Sequence, residues 1–162
     1  MSEIIKDKLY LGSLDDVLNE KFLQDKKITN VITVMKISEK DDYKSYLNKN
    51  NILLHIFEVD DILSENITKL FPEVFDIIEA SETIFIHCLM VQSRSPTLTI
   101  SYLMTKFNIN LNTATKIVLK NRKNIFPNDS FIKKLIEFDK FCFYQLNENG
   151  INKFKRLLKG FE

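Results

Sequence analysis

In the stretch Thr83-Ile84-Phe85-Ile86-His87-Cys88-Leu89-Met90-Val91-Gln92-Ser93-Arg94-Ser95-Pro96, three local signals follow one another without a gap. Thr83 to Ile86 is short, apolar and β-rich, the pattern of a buried strand. Ser95 and Pro96 are residue types suited to a helix cap and to the first helical position, so a helix is expected just after Arg94, with Leu98, Tyr102 and Leu103 on its apolar face. Between strand and helix, the residues from Leu89 to Ser93 form a loop that can turn successive backbone N–H groups inward. The first turn of the helix adds unpaired donors and the positive end of its dipole. Such a cradle fits an anion of phosphate's size.

Cys88 and Arg94 stand six positions apart across that loop. A thiol at the base of an N–H nest is held as thiolate by the donors that would otherwise bind the anion, which makes it a nucleophile. Arg94 can present a planar pair of donors to two phosphate oxygens and offset charge in the transition state. Attack on phosphorus leaves an alkoxide or phenoxide that needs a proton from a group outside the nest. Asp60 and Asp61 are the nearest candidates, Asp61 the first choice, with the Ser95 hydroxyl placed to assist the departing thiolate. His87 is expected to orient the loop by hydrogen bonding and not to act as a base.

Working outward, Ile4 to Gly12 predicts short strands ended by a turn, and Ser13 caps a helix over about Leu14 to Gln24. Val31 to Val34 and Ile52 to Val59 read as further strands, with a polar stretch from Ser38 to Asn50 between them. Leu70, Phe71, Val74, Phe75 and Ile78 recur at helical spacing, with Pro72 in the first turn. Two more helices follow, about Leu111 to Lys120 led by Asn112 and about Ser130 to Leu146 led by Asp129. Strands alternating with helices, then a helical C-terminal half, predict a single α/β domain.

The runs Ile86-His87-Cys88, Ser93-Arg94-Ser95-Pro96-Thr97 and Ile100-Ser101-Tyr102-Leu103-Met104 closely resemble the dual-specificity phosphatases of the protein tyrosine phosphatase superfamily. Leu9-Tyr10-Leu11-Gly12, Asn66 to Glu73, Phe126-Pro127-Asn128 and Leu135-Ile136-Glu137-Phe138 carry the resemblance over residues 4 to 142. It implies a central twisted sheet of about five strands flanked by helices. It also implies metal-free, cofactor-free hydrolysis of phosphotyrosine and phosphoserine or phosphothreonine in proteins. Aligning Phe71-Pro72-Glu73 with the family's helix picks out Asp61 as the general acid. The phosphate is expected to lie on the backbone of Leu89, Met90, Val91, Gln92 and Ser93 and on the Arg94 side chain. One departure stands out: Met90-Val91 replaces the family's Ala-Gly, and valine resists backbone angles that glycine accepts. The expectation is a strained or reshaped loop, and the alternative is a phosphoprotein-binding module of slow turnover.

The 162 residues are 44% hydrophobic with thirteen Phe, enough for one core. Twenty-three basic against twenty-two acidic residues leave a net charge of +1, which gives no field to attract nucleic acid. No signal segment or membrane-length apolar run is read, so an intracellular protein, cytoplasmic or nuclear, is expected, with no stable membrane insertion. Two cysteines give no disulfide framework, two histidines no zinc spacing, and the oligomeric state is open. Cys142 and His55 read as structural. A catalytic domain over residues 1–146 is followed by an amphipathic helix over 147–162, packing on the domain or on a partner. Its apolar positions are Ile151, Phe154, Leu157, Leu158 and Phe161.

Overall fold

The computed structural model describes residues 1–36 and 42–144. Its sheet is built from β1 (Ser2–Ile5), β2 (Leu9–Gly12), β3 (Asn30–Val34), β4 (Leu53–Phe57) and β5 (Ile84–His87), in the order β1-β2-β5-β3-β4. Only the β1–β2 pair is antiparallel; it is closed by a turn in which Asp7 takes a φ of 53°, and the other pairs are parallel. This is the single-domain α/β architecture that the alternation of elements predicts.

β5 lies between β2 and β3, and its Ile84, Phe85 and Ile86 are fully buried. Alternation along the strand sends Ile84 and Ile86 to one face and Phe85 to the other. The first face packs on the main core together with Phe71, Val74 and Ile78 of α4 (Phe71–Ala80), Leu98 and Leu103 of α5 (Arg94–Phe107), Val118 of α6 (Leu111–Asn121) and Phe138 of α7 (Asp129–Tyr144). Phe85 joins a second cluster with Val17 of α1 (Leu14–Val17), Phe22 and Leu23 of α2 (Glu20–Asp25) and Leu47 of α3 (Asp42–Lys49). Both faces are covered over β2, β5 and β3, as a parallel apolar sheet requires, while the edge strand β4 leaves Leu53 and Ile56 exposed.

Several local expectations are corrected. The single helix over 14–24 divides at Asn19, whose side chain accepts from the Phe22 amide and starts α2 afresh. Ser13 does cap α1, in a reciprocal box with Asp16. The polar stretch from 38 to 50 contains α3, which buries Leu47 and packs Tyr46 beside it, an apolar face of few residues in an otherwise polar segment. A 3₁₀ turn at Ile67–Leu70, capped by Asn66, leads into α4, with Pro72 in the first turn of that helix. The cap of α6 is Asn110, not Asn112, and the side chain that accepts from the Phe131 amide in α7 is Asn128, not Asp129. α5 begins at Arg94 itself, so Ser95 is inside the helix and does not cap it. The segment 147–162 lies outside the described residues.

Candidate active site

Cys88 follows directly on β5 and is 2% exposed. Because α5 starts two residues earlier than expected, the Ser95 hydroxyl is free of capping and donates to Cys88 Sγ at 3.1 Å. His87 is fully buried; a 2.8 Å hydrogen bond joins its Nε2 to Thr33 Oγ1 of β3, and its ring stacks on Phe85 at 5.8 Å. Burial pulls its pKa down to about 4, against the opposing pull of its contact with the Cys88 backbone and the charge of Asp16. A buried neutral imidazole fastened to the neighbouring strand fits an orienting part.

The loop from Leu89 to Ser93 alternates in exposure. Leu89, Met90 and Gln92 face solvent, whereas Val91 and Ser93 are 1% and 4% exposed. Val91 takes a φ of 54°, the left-handed region, with its side chain in the main core cluster. The expectation of a strained backbone at this position is thereby met, and the strain comes with burial of the side chain inside the protein and not in the cradle.

Neighbouring segments brace the loop at several points. The Leu14 amide donates to Leu89 O at 3.3 Å and the Phe126 amide to Gln92 O at 2.7 Å. Ser93 Oγ donates to Asp61 Oδ1 at 2.7 Å and accepts from the Asn128 amide at 3.0 Å, and Asn128 Nδ2 donates to the same Asp61 oxygen at 2.8 Å. Arg94 is half-buried. Its Nη1 donates to Val59 O at 3.0 Å, and its buried Nε has no hydrogen-bond partner among the described residues.

The two neighbouring aspartates thus part company. Asp61 meets the loop that holds Cys88 and Arg94, and Asp60 pairs with Lys36 Nζ at 2.7 Å. Asn128 is the site residue that sequence reasoning leaves out. Its place after Phe126-Pro127 and before a helix marks it as a cap, but its reach to Asp61 spans 67 residues of chain and carries no local signal. Among the described residues no three His, Cys, Asp or Glu side chains gather as a metal site needs. His55, half-buried on β4, lies 3.2 Å from Asn30 Nδ2, and Cys142 packs half-buried against the main core, both away from the loop.

Residues 9–141 match the family described as "Dual specificity phosphatase, catalytic domain". The chain is 33% identical over 142 residues to MAP kinase phosphatase with leucine-rich repeats protein 1 of Dictyostelium discoideum, covering 85% of this chain and 16% of that protein. It is 29% identical over 140 residues to Dual specificity protein phosphatase 1B of Arabidopsis thaliana, covering 84% and 80%. The chain spans 16–35% of the length of three curated relatives it matches. The crystal structure of DUSP15 superposes with a TM-score of 0.77 at 22% identity, over 100% of this chain and 97% of that one, a likeness that speaks for the fold. Sequence match and fold coincide across the strand, the loop at Cys88 and the turn at Asn128, and on that ground the chain belongs to the dual specificity phosphatase family, within the cysteine-based protein tyrosine phosphatase superfamily.

Proposed function

We propose that the chain is a protein phosphatase that hydrolyses phosphotyrosine and phosphoserine or phosphothreonine through a phosphocysteine on Cys88. The observation that carries this reading is the 2.7 Å bond from Ser93 to Asp61, which sets a carboxyl group against the loop that holds Cys88 and Arg94.

The phosphate would lie on the backbone N–H groups from Leu89 to Ser93. The buried Arg94 Nε, a donor with no partner among the described residues, would supply a charge-assisted bond to one oxygen. Cys88 Sγ forms the S–P bond as the P–O bond to the leaving group breaks, and Asp61 gives its proton to that oxygen. Both hydrogen bonds to Asp61 fall on Oδ1, which leaves Oδ2 to carry the proton. In the second half, Asp61 takes a proton from water as water forms a new O–P bond. The S–P bond breaks, and the Ser95 hydroxyl hydrogen-bonds to the thiolate released. His87 and Asn128 act as positioning residues. Cys88 must stay reduced, which suits the cytoplasm or nucleus, and the substrate is a phosphorylated protein.

One observation favours a second reading. The left-handed Val91 departs from the glycine expected of the family, and a loop held so could bind phosphoprotein and release it with little turnover. Hydrolysis of a small aryl phosphate with chelator present separates the two. The phosphatase reading predicts turnover abolished in Cys88→Ser and lowered about 100-fold or more in Asp61→Asn. An intact protein that binds phosphopeptide through Arg94 without turnover would instead favour the binding module.

A further inference from the structure

Three segments meet at the cradle, and each carries large apolar side chains into solvent. Ile62 and Leu63, directly after Asp61, are 50% and 67% exposed; Leu89 and Met90, directly after Cys88, are 48% and 63% exposed; Phe126 is 69% exposed. The Phe126 amide is bonded to the Gln92 carbonyl, and Ser93 and Asn128 are both bonded to Asp61. These bonds hold the three segments edge to edge, so the five side chains belong to one rim. A single exposed hydrophobic residue needs no explanation, but a group of them at the mouth of a polar site marks a surface that something covers.

The charges on the first segment are carboxylates: Glu58, Asp60, Asp61 and Glu65, with Asp60 bound to Lys36 and Glu65 to Lys69. Asp129 follows the third segment, and Arg122 and Lys123 precede it, Arg122 lying 3.8 Å from Asp16. A rim of this composition attracts apolar groups, and with Lys36 and Lys69 paired to Asp60 and Glu65 it offers no surplus positive charge to a further negative group beside the phosphate. An acidic or doubly phosphorylated segment is disfavoured on that ground, and so is the surface of an anionic bilayer.

We infer that the rim formed by Ile62, Leu63, Leu89, Met90 and Phe126 selects phosphopeptides in which large apolar side chains flank the phosphorylated residue. The inference rests on reading the Cys88 loop as the phosphate site. The preference belongs to the rim and not to the chemistry, so it appears in kcat/KM for peptides and is absent for a small aryl phosphate.

The test uses three phosphopeptides that differ only in the two flanking residues, Leu and Phe, Ser and Ser, or Glu and Glu, beside a small aryl phosphate. The apolar peptide is expected to exceed the Ser peptide about tenfold in kcat/KM, with the Glu peptide lowest. Leu63→Ser and Phe126→Ser should each remove about five- to tenfold from the apolar peptide and leave the aryl phosphate unchanged. Equal kcat/KM for the three peptides, with aryl phosphate turnover intact, would overturn the rim and leave the phosphatase reading standing. If no substrate turns over, the phosphatase reading fails by itself. Dissociation constants of the same peptides for the Cys88→Ser protein then read the rim, and equal values overturn it. Faster hydrolysis of phosphatidic acid in phosphatidylcholine vesicles than of any peptide, lost in both rim variants, would also overturn it and assign the surface to a lipid.

Discussion

Val91 combines two opposed effects in one residue. Among the described non-glycine residues with positive φ, which include Asp7, Lys27, Asn51 and Asn108, it is the β-branched one. The left-handed region costs an L-residue roughly 1–2 kcal/mol, and a buried valine side chain contributes roughly 1.5–3 kcal/mol. Val91→Ala keeps the angle and loses the packing; Val91→Gly loses the same packing and relieves the angle. Urea unfolding should therefore rank the intact protein first, Val91→Gly about 1 kcal/mol below it, and Val91→Ala about 1 kcal/mol lower again. Equal stabilities for the Gly and Ala variants would mean that the backbone is not strained there. His87 gives a second prediction at this scale. The unfolded chain protonates this residue near 6.5 and the folded protein only near 4, so the unfolded state binds more protons between those values. The stabilisation is full above 6.5 and is lost as pH falls toward 4. On this account the intact protein loses about 2 kcal/mol from this residue between about pH 7 and about pH 5, a slope that His87→Asn removes. That a glycine-like conformation is required at Val91 was legible from the residue type the loop departs from. That the valine side chain would turn into the core was not, because it depends on the main core cluster, whose members come from distant segments.

At the scale of elements, the strand and helix around Cys88 were readable because each carries its own local pattern, an apolar run and then Ser-Pro. The helix nevertheless begins two residues early, and the Ser95 hydroxyl bonds to Cys88 Sγ in place of the backbone. The caps of the last two helices were each misjudged because two competing polar residues lie close together, and propensity does not separate them. Asn108, left-handed at φ 51°, closes α5 and leaves Asn110 in the extended conformation that a cap needs. Asn128 joins two roles in one side chain, its Oδ1 capping α7 and its Nδ2 holding Asp61. Asn128→Asp retains the cap acceptor but replaces the donor to Asp61 with a second carboxylate, whereas Asn128→Ala loses both. Thermal unfolding should show both variants about 1 kcal/mol less stable, Asn128→Ala through the lost cap and Asn128→Asp through the second carboxylate set against Asp61. Both variants should lose turnover on an aryl phosphate, by about tenfold or more. Full turnover in Asn128→Asp would show that the bond to Asp61 has no part in the chemistry.

Over the whole molecule, the sheet order places β5 between β2 and β3 and sets its C-terminal end, with Cys88, at the edge where three loops can reach it. Alternating strands and helices made the α/β class legible, and the family pattern supplied the count of strands. What sequence could not give was the meeting of residues 61, 93 and 128, which belongs to the packed chain and to no segment of it. The central claim is that phosphate passes through Cys88 sulfur, and acid-quenched mass spectrometry of the Ser95→Ala protein mixed with an aryl phosphate tests it most directly. On this account, removing the hydroxyl that donates to Cys88 Sγ should slow the second half of the reaction and let the intermediate accumulate. The account predicts one added phosphoryl group on the peptide containing Cys88, absent when Cys88→Ser is combined with it. Steady release of phosphate with no mass added to that peptide under any quench time, or turnover that survives Cys88→Ser, would contradict it.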